Sequence, residues 1–556
     1  MMKKKTFVFL FLLFSPLSNI AQNLIYSGSI NNFTDANVMD MEKTSKGELI
    51  IAVDYPGARH IKYGQDTYFG LYKIDNNGNI DWRFKYNNDI FEYVFWDIAL
   101  DETDNIYAML DIIGSREYII NGLKFSPGLN FTKISSDGEI IWNKVIGESA
   151  REDYGEVGNA CIKYKNGKIY VMGTYTGSLN LDDQFYFNSK EYYQCYMWMY
   201  FPGSDYFVAK YDTNGNLINA VSLGEDYPDN LISMEIDNSE NIYFTGVSDN
   251  FPCVHSYQHI TKLDSCLNLQ WIKRLSYNYD SPRYAPMNIH YSKNDKIYLW
   301  NISIDNINHG IWVTDNKNPC LMEIDPLDGN VLRTLNINAN LSTRSYVDYR
   351  RHYPNGFIDD FGNDLIIHSA FLDSLIIDND TIWSKGYQTL CLLKIDLENF
   401  SVSLIKTIEG KREQYFVDMP GKLIADEPYI YFSGDYGENP LDVFGTLLYN
   451  RGTNIFDEDV FYCKIDMTPY FTDLEGNINQ LMQNKVLVFP NPVSDILYIQ
   501  SELKINKLTI FSIDGKIIFS GTNTNSVDVS KLSNGIYIVN ILTNNGIDIS
   551  KFLVKH

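Results

Sequence analysis

The chain has 556 residues, a formal charge of −24 and a hydrophobic content of 45%. That apolar fraction belongs to a folded protein and excludes wholesale disorder, and the length calls for more than one small domain. Strong acidity argues against DNA or RNA as a partner, because phosphate repels carboxylate, and it disfavours an anionic membrane surface for the same reason. Aromatic residues make up 14%, including 41 Tyr and 31 Phe. They suit the half-buried surface of a sheet, so an all-β protein is expected.

Residues 1–21 read as a cleavable secretory signal. Lys3, Lys4 and Lys5 precede an apolar run from Phe7 to Phe14, and small residues then lead to Ala21. The run is too short to span a bilayer, which takes about 20 residues. No Cys lies just past the cleavage region, which argues against a lipid anchor. Loss of the three lysines takes the charge from −24 to −27. No other segment is long and apolar enough to cross a membrane.

Residues 22–466 repeat one unit. A strand ending K-I-D, or a near relative, recurs as LYKID, FTKIS, VAKYD, ITKLD, LMEID, LLKID and YCKID. An apolar strand precedes each copy: ELIIAV, NIYAML, KIYVMG, NIYFTG, KIYLWN, DLIIHS and YIYFSG. A turn such as DNNGN or DTNGN, then an alternating strand often carrying a Trp (Trp82, Trp142, Trp271), follows the first six. The turn Asp and Asn are read as bonding their own backbone, because none of these turns matches a calcium loop. The seventh copy of the last strand is missing after Asp466. The segment NLIY near the N-terminus, with Tyr26 in the Trp position, has no K-I-D strand before it. The two orphans fit each other. Small sheets that bury their faces only against neighbours, joined end to end, predict a seven-bladed β-propeller closed by the N-terminal strand. At about 63 residues per unit the repeat exceeds common propeller repeats of about 40–50, so long inter-strand loops are expected. An open solenoid, two smaller sheets, or an eighth unit hidden in Tyr186 to Asp205 are the alternatives. The segment SDYFVAKYDTNGNL resembles a family of bacterial secreted propeller repeats (SBBP-like). That resemblance implies architecture and little chemistry.

No nucleophile elbow, H-E-x-x-H or P-loop occurs. Cys253, His255, His259 and Cys266 fall within 14 residues, a set able to form a tetrahedral zinc site. In an exported protein a Cys253–Cys266 disulfide is a stronger reading than zinc, with unlinked residues as the other alternative; no metal and no cofactor are expected. Cys320, Cys391 and Cys463 stand at even offsets from the isoleucines of their strands, which reads as core. Two stretches stand out as binding candidates. One is the aromatic run of Tyr192, Tyr193, Tyr196, Trp198 and Tyr200, whose rings suit stacking on sugars or anchoring a partner, or else pack on their own blade. The other holds Arg344, Arg350 and Arg351, a guanidinium cluster able to grip a carboxylate or sulfate, or else to neutralise Asp348, Asp359 and Asp360.

Residues 467–485 are polar and aperiodic and read as a linker. Residues 486–556 alternate short strands with the turns Asn491-Pro492, Asp514-Gly515, Asn534-Gly535 and Asn545-Gly546, which predicts a small Ig-like β-sandwich. This stretch resembles the type A C-terminal sorting domain of the type IX (Por) secretion system of gram-negative bacteria. The matching features are FPNPVSD with Pro490 and Pro492, NGIYIV with Gly535 and Tyr537, and the terminal KFLVKH with Lys551, Val554 and Lys555. The resemblance implies two-step export, with the type IX translocon as partner and a secreted or cell-surface destination. The expected function is an extracellular binding or adhesion module, with a glycan or another macromolecule as ligand. A secreted polysaccharide lyase or glycosidase using funnel carboxylates, and a structural surface component, are the alternatives.

Overall fold

The structure, a computed structural model, describes residues 24–556 apart from connecting stretches. The longest of these are 55–69, 85–91, 149–157, 249–256, 276–287, 341–355, 410–418, 450–458 and 469–486. The chain divides into two compact units, Met1–Thr468 and Pro469–His556.

The first unit is built of antiparallel four-strand meanders. Sheet I comprises Asn37–Lys43, Leu49–Asp54, Leu71–Ile74 and Ile80–Phe84. Sheet II comprises Glu92–Leu100, Ile106–Ile113, Gly128–Ile134 and Ile140–Glu148. Sheet III is Gly158–Lys165, Lys168–Thr176, Ser204–Asp212 and Leu217–Leu223. Sheet IV is Asp229–Ile236, Ile242–Ser248, Tyr257–Leu263 and Leu269–Arg274. Sheet V has Asn288–Tyr291, Ile297–Ile302, Pro319–Ile324 and Val331–Asn336. Sheet VI has Gly356–Phe361, Asp364–Ile377, Asp380–Asp396 and Ser401–Ile408, with a fifth short strand, Asn338–Asn340, paired to the far half of Asp364–Ile377. Sheet VII takes Met419–Asp426, Tyr429–Tyr436 and Asp459–Asp466 from the end of the unit, and its fourth strand is Leu24–Ile30.

The repeated phrases map onto the second, third and fourth strands. The K-I-D lysine faces the Trp position across the third and fourth strands: Lys73 with Trp82, Lys133 with Trp142, Lys262 with Trp271. In sheet VII the same pair is Lys464 with Tyr26. The lysine has a second task. Its ammonium lies over the tyrosine of the second strand, at 4.9 Å for Lys133–Tyr107, 5.1 Å for Lys210–Tyr170, 5.2 Å for Lys262–Tyr243 and 4.9 Å for Lys464–Tyr431. It also donates to a turn carbonyl of the following sheet, as Lys133 does to Thr213 at 3.1 Å and Lys262 to Pro326 at 2.8 Å. The turns behave as their composition predicts. Asp75, Asp212 and Asp264 each accept the N–H groups two and four residues on, at 2.8–2.9 Å.

Consecutive sheets pack face to face and share apolar cores. Clusters join I with II, II with III, III with IV, IV with V and V with VI. Another joins VII with I through Tyr26, Ile30, Val38, Leu49 and Tyr462. The ring at the Trp position lies over a turn glycine of the next sheet: Trp82 at Gly138, Trp142 at Gly215, Trp271 at Gly329, and Tyr26 at Gly78. Gly78 has φ +84°, and a Cβ there would sit 2.8 Å from the Tyr26 ring, so both conformation and packing call for glycine. The first strands touch in succession, I on II through VI on VII, and VII on I. Cys320, Cys391 and Cys463 are buried, as their offsets predict.

The extra length lies mainly in the connections between second and third strands, which form hairpins. These are Tyr118–Ile120 with Leu123–Phe125 in sheet II and Ile304–Ile307 with Gly310–Val313 in sheet V. Sheet VII has Leu441–Val443 with Thr446–Leu448. Sheet III has two, Ser178–Leu181 with Phe185–Asn188 and Glu191–Gln194 with Met199–Pro202. In sheet VI the second and third strands themselves extend, pairing out to Ile377 and Asp380. Among the described residues, Tyr186 to Asp205 holds these hairpin strands and no further four-stranded sheet.

The second unit is a pair of antiparallel sheets. One is Leu487–Phe489, Ile496–Gln500 and Ser526–Asp528; the other is Ile517–Thr522, Ile505–Ser512, Gly535–Thr543 and Gly546–Val554. They share one core that includes Leu497, Val527, Leu508, Val539 and Phe552. Among the described residues no helix is long and apolar enough to cross a membrane.

Candidate functional site

The first strands concentrate the ionisable side chains. Sheet I contributes Asp40 and Glu42, sheet II Asp97, sheet III Lys163, sheet IV Glu235, sheet V His290, sheet VI Asp359 and Asp360, and sheet VII Lys422. Charges on Lys163, Lys422 and Glu235 all act on Glu42, so groups from four sheets face one centre. Lys422 reaches Asp40 at 2.9 Å and Asp97 at 3.8 Å. Lys163 pairs with Glu235 at 3.3 Å, and His290 with Asp360 at 3.3 Å. Lys163 keeps 31% of its side-chain surface and Glu235 and Lys422 26% each, so solvent-sized space remains beside them.

Several of these carboxylates also bind the backbone of the next sheet. Asp40 accepts the Ile98 N–H at 2.9 Å, Asp97 that of Ile162 at 2.9 Å, and Asp359 that of Ala425 at 2.7 Å. Asp435, on the second strand of sheet VII, accepts the Val38 N–H of sheet I at 2.7 Å.

The electrostatics follow from this crowding. Burial works to raise Asp40, but Lys422, a hydrogen bond from Asp97 and the Ile98 N–H outweigh it and hold it at about 2. Burial and the Asp40 charge push Asp97 well above the usual carboxylate range, so ionising both carboxyls at once is disfavoured. Burial and the Asp40 charge bring Glu42 up to about 7. Burial also raises Asp359. The Glu235 charge raises Lys163 despite burial, and the Asp40 charge above all raises Lys422 against its burial. Burial lowers His290, but its bond to Asp360 and the neighbouring aspartates leave it raised. Such an arrangement can cross-link strands, and its carboxyl–carboxylate pair can store a proton.

Sequence reasoning missed this cluster. The signal was present as polar residues at alternate positions of otherwise apolar strands, in DMEK, ACIKY, SMEI and NIHY, but only the aspartate after the bulge recurs, as Asp40 and Asp97 in sheets I and II. The aromatic run is only partly described. Tyr193 pairs across the strands with Tyr200, and Tyr192 with Phe201. Tyr196, Trp198, Arg344, Arg350, Arg351 and Cys253 lie outside the described residues, as does the signal segment 1–21. Cys266 is exposed and carries a free thiol in its turn. His259 is buried, with Nε2 at 3.0 Å from the Tyr206 hydroxyl and Nδ1 at 3.0 Å from that of Thr261. It lines a cavity of about 100 Å³ between sheets III and IV. Among the described residues no His, Cys, Asp and Glu gather in threes to hold a metal.

In the second unit the two ends of the motif meet. Asn491 accepts the Leu553 N–H at 2.8 Å and donates to the Lys551 carbonyl at 3.3 Å. Val493 donates to Leu553, and Lys555 to Val493, at 2.8 and 2.9 Å. Val554 is fully buried, while Pro492, Lys551 and Lys555 are exposed. Gly535 opens the strand that pairs with Val554. Tyr537 stacks on Phe552 at 5.8 Å and donates to the Ser533 carbonyl at 3.0 Å. Pro490 lies outside the described residues. FPNPVSD and KFLVKH thus form one joint, which is why both occur at opposite ends of the module.

No curated protein matches the chain. Solved structures similar to it include a protein of unknown function from Dyadobacter fermentans, at 11% identity and TM-score 0.38, covering 68% of this chain and 96% of that one. An α-L-arabinofuranosidase from Fusarium graminearum has 9% identity and TM-score 0.35, covering 79% and 99%. A sialidase from Trypanosoma rangeli has 8% identity and TM-score 0.36, covering 94% and 88%. Likeness at these scores supports no argument about activity. The C-terminal match is of another kind: residues 487–555 are a secretion system C-terminal sorting domain, and the protein is cargo of the type IX secretion system, exported to the cell surface or the extracellular space.

Proposed function

We propose that the first unit is a seven-bladed β-propeller closed by its N-terminal strand, and that it serves outside the cell as a rigid binding module. The pairing of Leu24–Ile30 with Asp459–Asp466, the Tyr26–Gly78 contact and the core shared by sheets VII and I support closure. The observation that carries the binding reading is the use made of the central carboxylates. Asp40, Asp97 and Asp359 are each tied to a backbone N–H of the next sheet, which locks blades together and leaves ligand contact to the connecting loops. The test is to pass the purified protein over a glycan panel, measuring retention and reducing-end release together. Retention without release supports the reading, and release without retention sinks it.

One observation favours a second reading, a secreted enzyme acting on polysaccharide. Asp40 and Asp97 both approach Lys422, at 2.9 and 3.8 Å, with Asp40 lowered and Asp97 raised, an arrangement that offers a base and an acid at one centre. On that reading Asp97→Asn abolishes reducing-end release while the fold is kept. On the binding reading no release exists to lose.

A further inference from the structure

We infer that the hairpins between second and third strands form a spaced stacking platform for an uncharged polysaccharide. The inference rests on the binding reading above and gives it a site and a ligand class. In an antiparallel meander the connection between second and third strands lies at the end where the fourth strand finishes. Two contacts place hairpins there against the preceding sheet. Asp442, in the sheet VII hairpin, donates its N–H to the Glu409 carbonyl just past the fourth strand of sheet VI, at 2.8 Å. Asp182, in a sheet III hairpin, pairs with Lys144 at the middle of the fourth strand of sheet II, at 2.6 Å.

These hairpins hold side chains that the core does not use. Tyr186 is 66% exposed, Trp383 69%, and Tyr449, one residue past the sheet VII hairpin, 57%. They belong to sheets III, VI and VII, so they are separate rings on one rim rather than a contiguous apolar patch. A protein interface buries a continuous apolar centre, whereas isolated rings suit the apolar faces of sugars in a long polymer. Two of these hairpins also carry carboxylates. The Tyr186 hydroxyl is 3.3 Å from Asp183, and Asp442 lies within the sheet VII hairpin. Carboxylates accept hydrogen bonds from sugar hydroxyls. With a chain charge of −24 they also repel an anionic polymer, which selects an uncharged one. Each ring alone binds weakly; several on one rigid rim act jointly.

The test is affinity electrophoresis of the full chain in gels containing laminarin, yeast mannan, galactan or alginate. The wild type should be retarded by at least one neutral polymer and not by alginate. Tyr186→Ala, Trp383→Ala and Tyr449→Ala should each weaken retardation by about three- to tenfold, and the triple variant should run as in a gel without polymer. Because all three side chains are more than half exposed, the melting temperature should not change. A triple variant retarded like the wild type overturns the inference and leaves the binding reading standing, and so does retardation by alginate alone. A wild type retarded by none of the four polymers overturns the inference, and the glycan panel then decides the binding reading separately.

Discussion

Tyr26 offers the sharpest test of how the first strand is held. Its ring is 7% exposed, meets Tyr462 edge-on at 6.5 Å and covers Gly78 of sheet I. Its hydroxyl is buried with no hydrogen-bond partner. The two parts of the side chain therefore act in opposite directions. Tyr26→Ala removes a buried aromatic ring and leaves a cavity, a loss of about 3–4 kcal/mol. Tyr26→Phe removes only the unsatisfied hydroxyl, so stability should stay level or rise by up to about 1 kcal/mol. Urea unfolding of the full chain, followed by tryptophan fluorescence, reads both changes as midpoint shifts at constant slope. An alanine variant within about 1 kcal/mol of wild type would refute the claim that this ring secures the strand. A phenylalanine variant as damaged as the alanine one would show that the hydroxyl, not the ring, is what matters.

Other outcomes follow from the same contacts. Gly78→Ala should destabilise more than Gly122→Ala, since the two have φ +84° and +82° but only Gly78 faces a ring; equal unfolding midpoints would contradict this. Lys422→Met leaves the Asp40–Asp97 pair without its cation and should cost about 3–5 kcal/mol in the same assay, most of it recovered when Asp40→Asn and Asp97→Asn are added. Glu42 is raised from 4.5 to about 7, so the folded state holds its proton longer than the unfolded chain; stability should fall as pH rises from about 4.5 to 7 and then level off. Glu42→Gln should flatten that fall, and an unchanged pH profile would remove Glu42 as its source. Deleting 486–556 should leave the protein in the periplasm, with surface labelling of intact cells as the readout.

The second, third and fourth strands were legible because each carries chemistry that every sheet needs in the same place. The lysine is used twice, once over a tyrosine and once against the next turn, so K-I-D recurs. Tyr26 could be matched to the Trp position for the same reason. The first strands were opaque because their charges balance across sheets. Asp40 finds its cation in Lys422, far along the chain, so no local period records the pair. The hairpins were foreseen only as excess length, since strands of three or four residues at varied spacing leave no repeat. Leu267 shows packing overriding a turn rule. It stands where the turns of sheets I, II, III and V have glycine, at φ +69°, because its side chain is buried in the core shared by sheets III and IV. That burial, about 2 kcal/mol, offsets a left-handed cost of about 1–2 kcal/mol.

The joining of the first strand to the last has a consequence for the order of events in export. Tyr462 donates to the Gly78 carbonyl across 384 positions of sequence. Sheet VII therefore cannot be assembled from a nascent fragment. Until residues near 460 have emerged, the strand at 24–30 has no partner, and the apolar flank of sheet I stays uncovered. The sorting module begins only some twenty residues later. In chain order the delivery tag thus follows the strand that finishes the cargo's last sheet.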